Sequence, residues 1–204
     1  MPATRERIIT ATNELFRRGG YNGTSLRQVT DAAGVPTGSL YHFFPRGKAE
    51  LAEAVIVETG ASYRELFELI AAAAADAGAA VGDFFDGAAE TLEQGDYIDV
   101  CPIGTVAREV ANTNDRLRHA ADRVFMSWIQ SLGTHLEAAG LPRPEATALA
   151  TTVVAALEGG FVLARARRDG DVLRDTGHHV RQLVDAQLRD ARNRAQVGAP
   201  GSTV

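Results

Sequence analysis

Between Thr24 and Lys48 the chain reads TSLRQVTDAAGVPTGSLYHFFPRGK, and nearly every residue of that stretch constrains the backbone. Ser25 and Gln28 have the S-x-x-Q spacing of a capping box, so a helix can begin at Leu26 with its free amides satisfied. Leu26, Val29, Ala32 and Ala33 then fall on one apolar face at helical spacing. Gly34 stands where a helix stop needs left-handed backbone angles. Pro36, with its fixed φ and no amide hydrogen, suits the first turn of a second helix, near Thr37 to Phe44, which Pro45 ends. Two helices around a short Gly-containing turn form a helix-turn-helix, whose second helix enters a DNA major groove. That helix carries Thr37, Gly38, Ser39, Tyr41 and His42, small or hydrogen-bonding groups, and leaves Leu40 and Phe43 to anchor it. A helix serving only as packing would bury more of itself.

The charge distribution agrees with a phosphate-binding surface at this end. The whole chain carries −5, but residues 1–48 hold seven basic and three acidic side chains, a net of +4, and residues 49–204 hold −9. Local positive charge is what a polyanion meets, whatever the overall balance. The 204 residues, 45% hydrophobic and 23% charged, can bury a substantial core. No basic segment followed by an apolar run opens the chain, and no uninterrupted apolar stretch has spanning length, so a cytoplasmic protein with no membrane partner is expected. Cys101 is the single cysteine, which excludes an intrachain disulfide and a cysteine metal cluster.

The rest of the chain has helical periods throughout and no strand-period segment. A first helix is expected from Thr4 to Arg18, with Ile8, Ala11, Leu15 and Phe16 on one stripe and Gly19-Gly20 as its stop. A long helix starts at Gly47, with Gly60 a weakness in its middle, and the alanine run 71–75 implies close packing. Gly78 and Gly82 suggest a break before a helix from Asp83 to Gly95. The segment 96–104 reads as an ordered turn, followed by a helix from Thr105 to Ala111 and a long one from Arg116 to Ala139. Two more run from Ala146 to Arg168 and from about Leu173 to Arg192. The end of the chain, 195–204, lacks apolar density and is expected to be disordered. This pattern gives an all-α fold with an N-terminal three-helix head, and domains at 1–48 and 49–194.

Gly20 to Leu51 matches the run G-Y-x-G-T-S-L-R-x-V-x-x-A-A-G-V-P-x-G-S-L-Y-H-F-F-P-x-G-K-x-x-L, and on it the chain resembles TetR/AcrR-type transcriptional repressors. The C-P-I-G at Cys101–Gly104 and the R-A-R-R-D-G-D before the last helix are similar to the LmrA/YxaF-like branch. The resemblance implies nine to ten helices, a DNA-binding head, and a ligand-binding body that dimerises through its last two long helices. It places Thr24, Ser25 and Arg27 on phosphates or groove edges, and Thr37, Gly38 and Ser39 against bases. It also puts Tyr41 and His42 on the backbone or a thymine methyl, and Lys48 on a phosphate. Pro36 departs from the small hydroxyl residue of many relatives. With no Arg or Lys between Val35 and Phe44, no bidentate guanine contact is expected from this helix.

One short helix reads few base pairs, so a homodimer on a palindromic double-stranded operator is expected. Leu149, Val153 and Leu157, continued by Phe161, and Val180, Leu183 and Val184, continued by Leu188, form stripes that either pair across a twofold axis or complete the internal core. For a small-molecule effector the candidate residues are Phe67, Phe85, Tyr97, Cys101, Phe125, Trp128, His135, Glu158 and Phe161, beside further aromatics at Tyr63 and Phe84. Aromatics at helical spacing also fill cores, so each has a packing alternative. His178 and His179 project about 100° apart and make poor joint metal ligands. No nucleophile elbow, phosphate loop or zinc helix is present, and no catalytic residue, cofactor or metal is expected. The competing reading is an all-helical small-molecule-binding module or enzyme that lacks sequence-specific DNA binding.

Overall fold

A computed structural model describes residues 3–98 and 101–197. Among the described residues there are nine helices and no strand: α1 (Thr4–Gly19), α2 (Leu26–Ala33), α3 (Thr37–Phe43), α4 (Lys48–Ala73), α5 (Ala77–Gln94), α6 (Pro102–Val110), α7 (Asp115–Ala138), α8 (Arg143–Arg167) and α9 (Asp171–Val197). The chain divides into two compact units, one of residues 1–63 and 94–126, the other of residues 64–93 and 127–204.

The first unit is built on α1, α2 and α3. Ile8 and Phe16 of α1 are buried with Val29 and Ala33 of α2 and Leu40 of α3. The buried members of α2 are Val29, Thr30 and Ala33, and Ala32 lies outside. Thr30 tolerates burial because its hydroxyl donates to the Arg27 carbonyl at 2.9 Å. Gly23 allows the chain to turn between α1 and α2, since a Cβ there would run into the Gly19 carbonyl oxygen. Gly60, expected to weaken α4, is instead the point where α4 meets α7: a Cβ would strike the Val124 side chain. α6 starts at Pro102, three residues before the expected Thr105. Cys101 caps it, its sulfur accepting from the Gly104 amide at 3.4 Å, and proline fills the first turn.

In the second unit the expected break at Gly78 and Gly82 is absent: α5 runs through both from Ala77. Both glycines face α9, where a Cβ at Gly78 would meet the Asp185 carboxylate and one at Gly82 would lie 3.3 Å from Arg181. Gly177 of α9 is packed on Phe85 of α5 in the same manner. A two-pronged ion pair ties these helices at the far end, where Arg174 donates to both Glu93 oxygens at 2.7 Å. α9 continues to Val197, so residues 195–197 belong to the helix and not to a tail; residues 198–204 lie outside the described residues, as do 99–100 of the expected turn.

Candidate nucleic-acid interface

The helix-turn-helix is held by the local chemistry its sequence implies. The Ser25 hydroxyl accepts from the Gln28 amide at 3.3 Å, and the Gln28 side-chain oxygen accepts from the Ser25 amide at 2.7 Å, which closes the capping box. Gly34 ends α2 at φ 61°, ψ 42°, and the Val35 amide returns to the Thr30 carbonyl at 3.0 Å, so the next helix leaves at a defined angle. Pro36 is the residue before α3 and not within its first turn, and its carbonyl receives the Ser39 amide at 2.9 Å.

α3 is anchored by a different pair from the one expected. Leu40 and Phe44 are 0% and 2% exposed, whereas Phe43 is 37% exposed beside Tyr41 at 49%. The Phe44 amide donates to the Leu40 carbonyl at 2.8 Å, so the two buried residues are also one hydrogen-bonded turn. Thr37, Gly38, Tyr41 and His42 are exposed, Ser39 is half-buried, and nothing lies within 4 Å of a Cβ placed at Gly38. Arg27 is also exposed and lies 3.8 Å from Asp31. Thr24 is different: it is buried, and its hydroxyl donates to the Gly20 carbonyl at 2.8 Å, which serves the α1–α2 loop from within. The Lys48 ammonium lies 4.3 Å from the Tyr21 ring centroid; burial lowers its pKa, and the Glu109 carboxylate opposes that shift.

The candidate effector residues are shared between the two units. Tyr97, Cys101 and Phe125 belong to the first unit, and Phe67, Phe85, Trp128, His135, Glu158 and Phe161 to the second. Phe85 is fully buried under Gly177, and Cys101 is committed to capping α6. Phe67 and His135 are brought together, with ring centroids 5.5 Å apart and Phe84 packed edge-on to Phe67 at 5.7 Å. They line a cavity of about 150 Å³ with Leu132, Asp76 and alanines 71, 74, 77, 80 and 139. Among the described residues no group of His, Cys, Asp or Glu has the arrangement of a metal site.

Two family models match this chain: residues 8–55 match bacterial regulatory proteins of the tetR family, and residues 77–179 match the C-terminal domain of LmrA/YxaF-like transcriptional regulators. The chain is 33% identical to the HTH-type transcriptional regulator YxaF of Bacillus subtilis over 81% of its own length and 87% of the relative's. It belongs to the TetR family. The HTH-type transcriptional regulator LmrA of Bacillus subtilis is 30% identical over 79% of this chain and 86% of its own. A TetR transcriptional regulator from Legionella pneumophila superposes with a TM-score of 0.80 at 26% identity, covering 90% of this chain and 98% of that one. The protein is thus a transcriptional regulator with a DNA-binding helix-turn-helix, and not an enzyme.

The stripes expected at a TetR-family dimer interface are largely spent within the protomer. Leu149, Val153, Leu157, Val180 and Val184 are all buried, which fits packing of α8 on α9, and Leu183 alone of the six is exposed, at 39%. The outward side of α8 carries Thr152, Ala155, Gly159, Val162 and Leu163 instead. By length and composition α8 passes as apolar enough to cross a membrane, but Thr151, Thr152 and Glu158 interrupt its apolar run, as the expectation of no uninterrupted spanning stretch requires. Sequence reasoning also missed Glu109, whose carboxylate reaches back from α6 to the Asn22 amide at 2.7 Å. Gly20 leaves room for that carboxylate, since a Cβ there would collide with it.

Proposed function

We propose that the protein is a ligand-responsive repressor that binds a palindromic operator as a homodimer and releases it when a small, largely apolar effector binds. The observation that carries this reading is the exposed face of α3, which offers hydroxyl, imidazole and ring groups and no Lys or Arg while Leu40 and Phe44 hold the helix from behind. Hydroxyl and imidazole groups can bond to base edges, and nearby cations such as Arg27 supply sequence-independent affinity. Ser25, Arg27, Thr37, Gly38, Ser39, Tyr41 and His42 are the DNA-contacting residues of this reading, with Lys48 reaching a phosphate once it leaves Tyr21. DNA as the target also places the protein in the cytoplasm.

The outward apolar side of α8, with Leu183 of α9, supports a twofold interface in which two copies cover each other's α8. The cavity beside Phe67 and His135 supports a small effector with apolar surface and one polar group. The effector would act through α4, one continuous helix from Lys48 to Ala73, so that residues 1–48 act as the DNA-binding domain and 49–194 as the effector and dimerisation domain.

Fluorescence-anisotropy titration against the DNA flanking the protein's own coding region, with a scrambled duplex as control and salt varied, tests the reading. Binding to one palindromic site about a thousandfold tighter than to the scrambled duplex is expected. Equal affinity for both, unchanged in a selection from random duplexes, refutes it.

A further inference from the structure

We infer that Phe43 is a base-reading residue whose ring packs on a thymine methyl group of the operator. The inference rests on the DNA-binding reading above and extends it to a residue whose sequence position suggests an anchor. α3 needs only two residues to hold it, and Leu40 and Phe44 fill that role at 0% and 2% exposure. Phe43 is left outside at 37% exposure. On a helix it shares a stripe with Ser39, four residues earlier, and its ring stands at 75° to that of its neighbour His42, with centroids 5.0 Å apart. A ring packed edge-on against an imidazole and exposed on the stripe of a small hydroxyl presents an apolar edge to whatever α3 meets.

The groove offers one apolar feature to such an edge. In the major groove each base edge presents donors and acceptors, and only thymine adds a methyl group. Since no Arg or Lys lies between Val35 and Phe44, α3 has no group for the bidentate guanine contact. The Phe43 ring therefore favours a thymine at the base step it meets, while Ser39 can bond to either kind of edge beside it.

The test starts with the duplex that the full-length protein selects from a random pool. Each thymine of one half-site is replaced in turn by deoxyuracil, which removes only the methyl group, and affinities are measured for the wild type, Phe43→Ala and Phe43→Leu. Loss of the contacted methyl is expected to weaken the wild type about fourfold, the value of one buried methylene-sized group. Phe43→Ala is expected to bind the thymine duplex more weakly and to be indifferent to deoxyuracil at that same position, while Phe43→Leu keeps part of the discrimination. Thermal melts of both variants check that the head remains folded, as the exposure of Phe43 implies. Full methyl discrimination by Phe43→Ala, or unchanged affinity for the thymine duplex, overturns the inference while DNA binding stands. Failure of the wild type to enrich any duplex removes the DNA-binding reading itself, and the inference with it.

Discussion

The Glu109 carboxylate accepts a hydrogen bond from the Asn22 backbone amide at 2.7 Å, so α6 is tied to the loop that leads into the helix-turn-helix. The same carboxylate raises the pKa of Lys48 against the lowering effect of burial. One side chain of α6 therefore addresses both the entry to α2 and the first residue of α4. Glu109→Ala should lower the free energy of unfolding by about 1 kcal/mol, the usual worth of a hydrogen bond in a partly solvated place. Urea denaturation followed by circular dichroism measures it, and an unchanged midpoint would show that the loop holds without the contact.

Ser25 caps α2 from its side chain, and the capping box is completed by Gln28. Ser25→Ala should cost about 1 kcal/mol, and Ser25→Asp, which also caps, should recover most of it. Because α2 supports α3, the alanine variant should also bind DNA more weakly than its stability alone explains. Equal affinity per folded molecule would separate the cap from recognition.

The Glu93–Arg174 pair makes acid stability a readable quantity. Arg174 holds the Glu93 carboxylate below its usual range, chiefly through the hydrogen bonds between them. A carboxylate whose pKa is lower folded than unfolded stabilises the fold at pH values above its unfolded pKa of about 4.3, and that contribution is lost as pH falls through the folded value. The melting temperature of the wild type should therefore drop more steeply below about pH 5 than that of Arg174→Met. Parallel curves would assign the acid limb to other groups.

Two glycines in the second unit should respond in opposite directions to the same change. A Cβ at Gly177 would enter the Phe85 side chain, while nothing lies within 4 Å of one at Gly87. Gly87→Ala should stabilise α5 by up to about 1 kcal/mol through helix propensity. Gly177→Ala gains the same propensity but loses about 1–3 kcal/mol to overpacking. Differential scanning calorimetry of the two variants side by side checks the sign.

Leu163 of α8 is 57% exposed and Val162 44%. Leu163→Glu should halve the mass seen by light scattering and leave the helical signal intact. A dimer that survives both this change and Val162→Glu would place the interface elsewhere.

How much of this was legible in the sequence depended on the range of the interaction. The capping box, the left-handed Gly34 and the long helices rest on contacts within a few residues, so spacing alone reveals them. Phe43 and Phe44 are both within helical reach of Leu40, and which of them turns inward is decided by how the chain leaves α3. Gly78 and Gly82 read as breakers because the sequence does not show α9 lying against them. The stripes of α8 and α9 declared that they would be buried, but apolarity has no label for the chain that covers it. The pairing of Phe67 with His135 depends on α4 and α7 being neighbours, which no local pattern records. The Glu109 contact joins residues 87 positions apart and was invisible for the same reason.

The outward side of α8 has a consequence for how much of this protein a cell must make. If a second copy completes that surface, the population of the paired form rises with the square of the monomer concentration at low abundance. Halving synthesis would then cut occupancy of a weak operator about fourfold. A single exposed helix face would turn a change in gene dosage into a sharper change in the output of every promoter it governs.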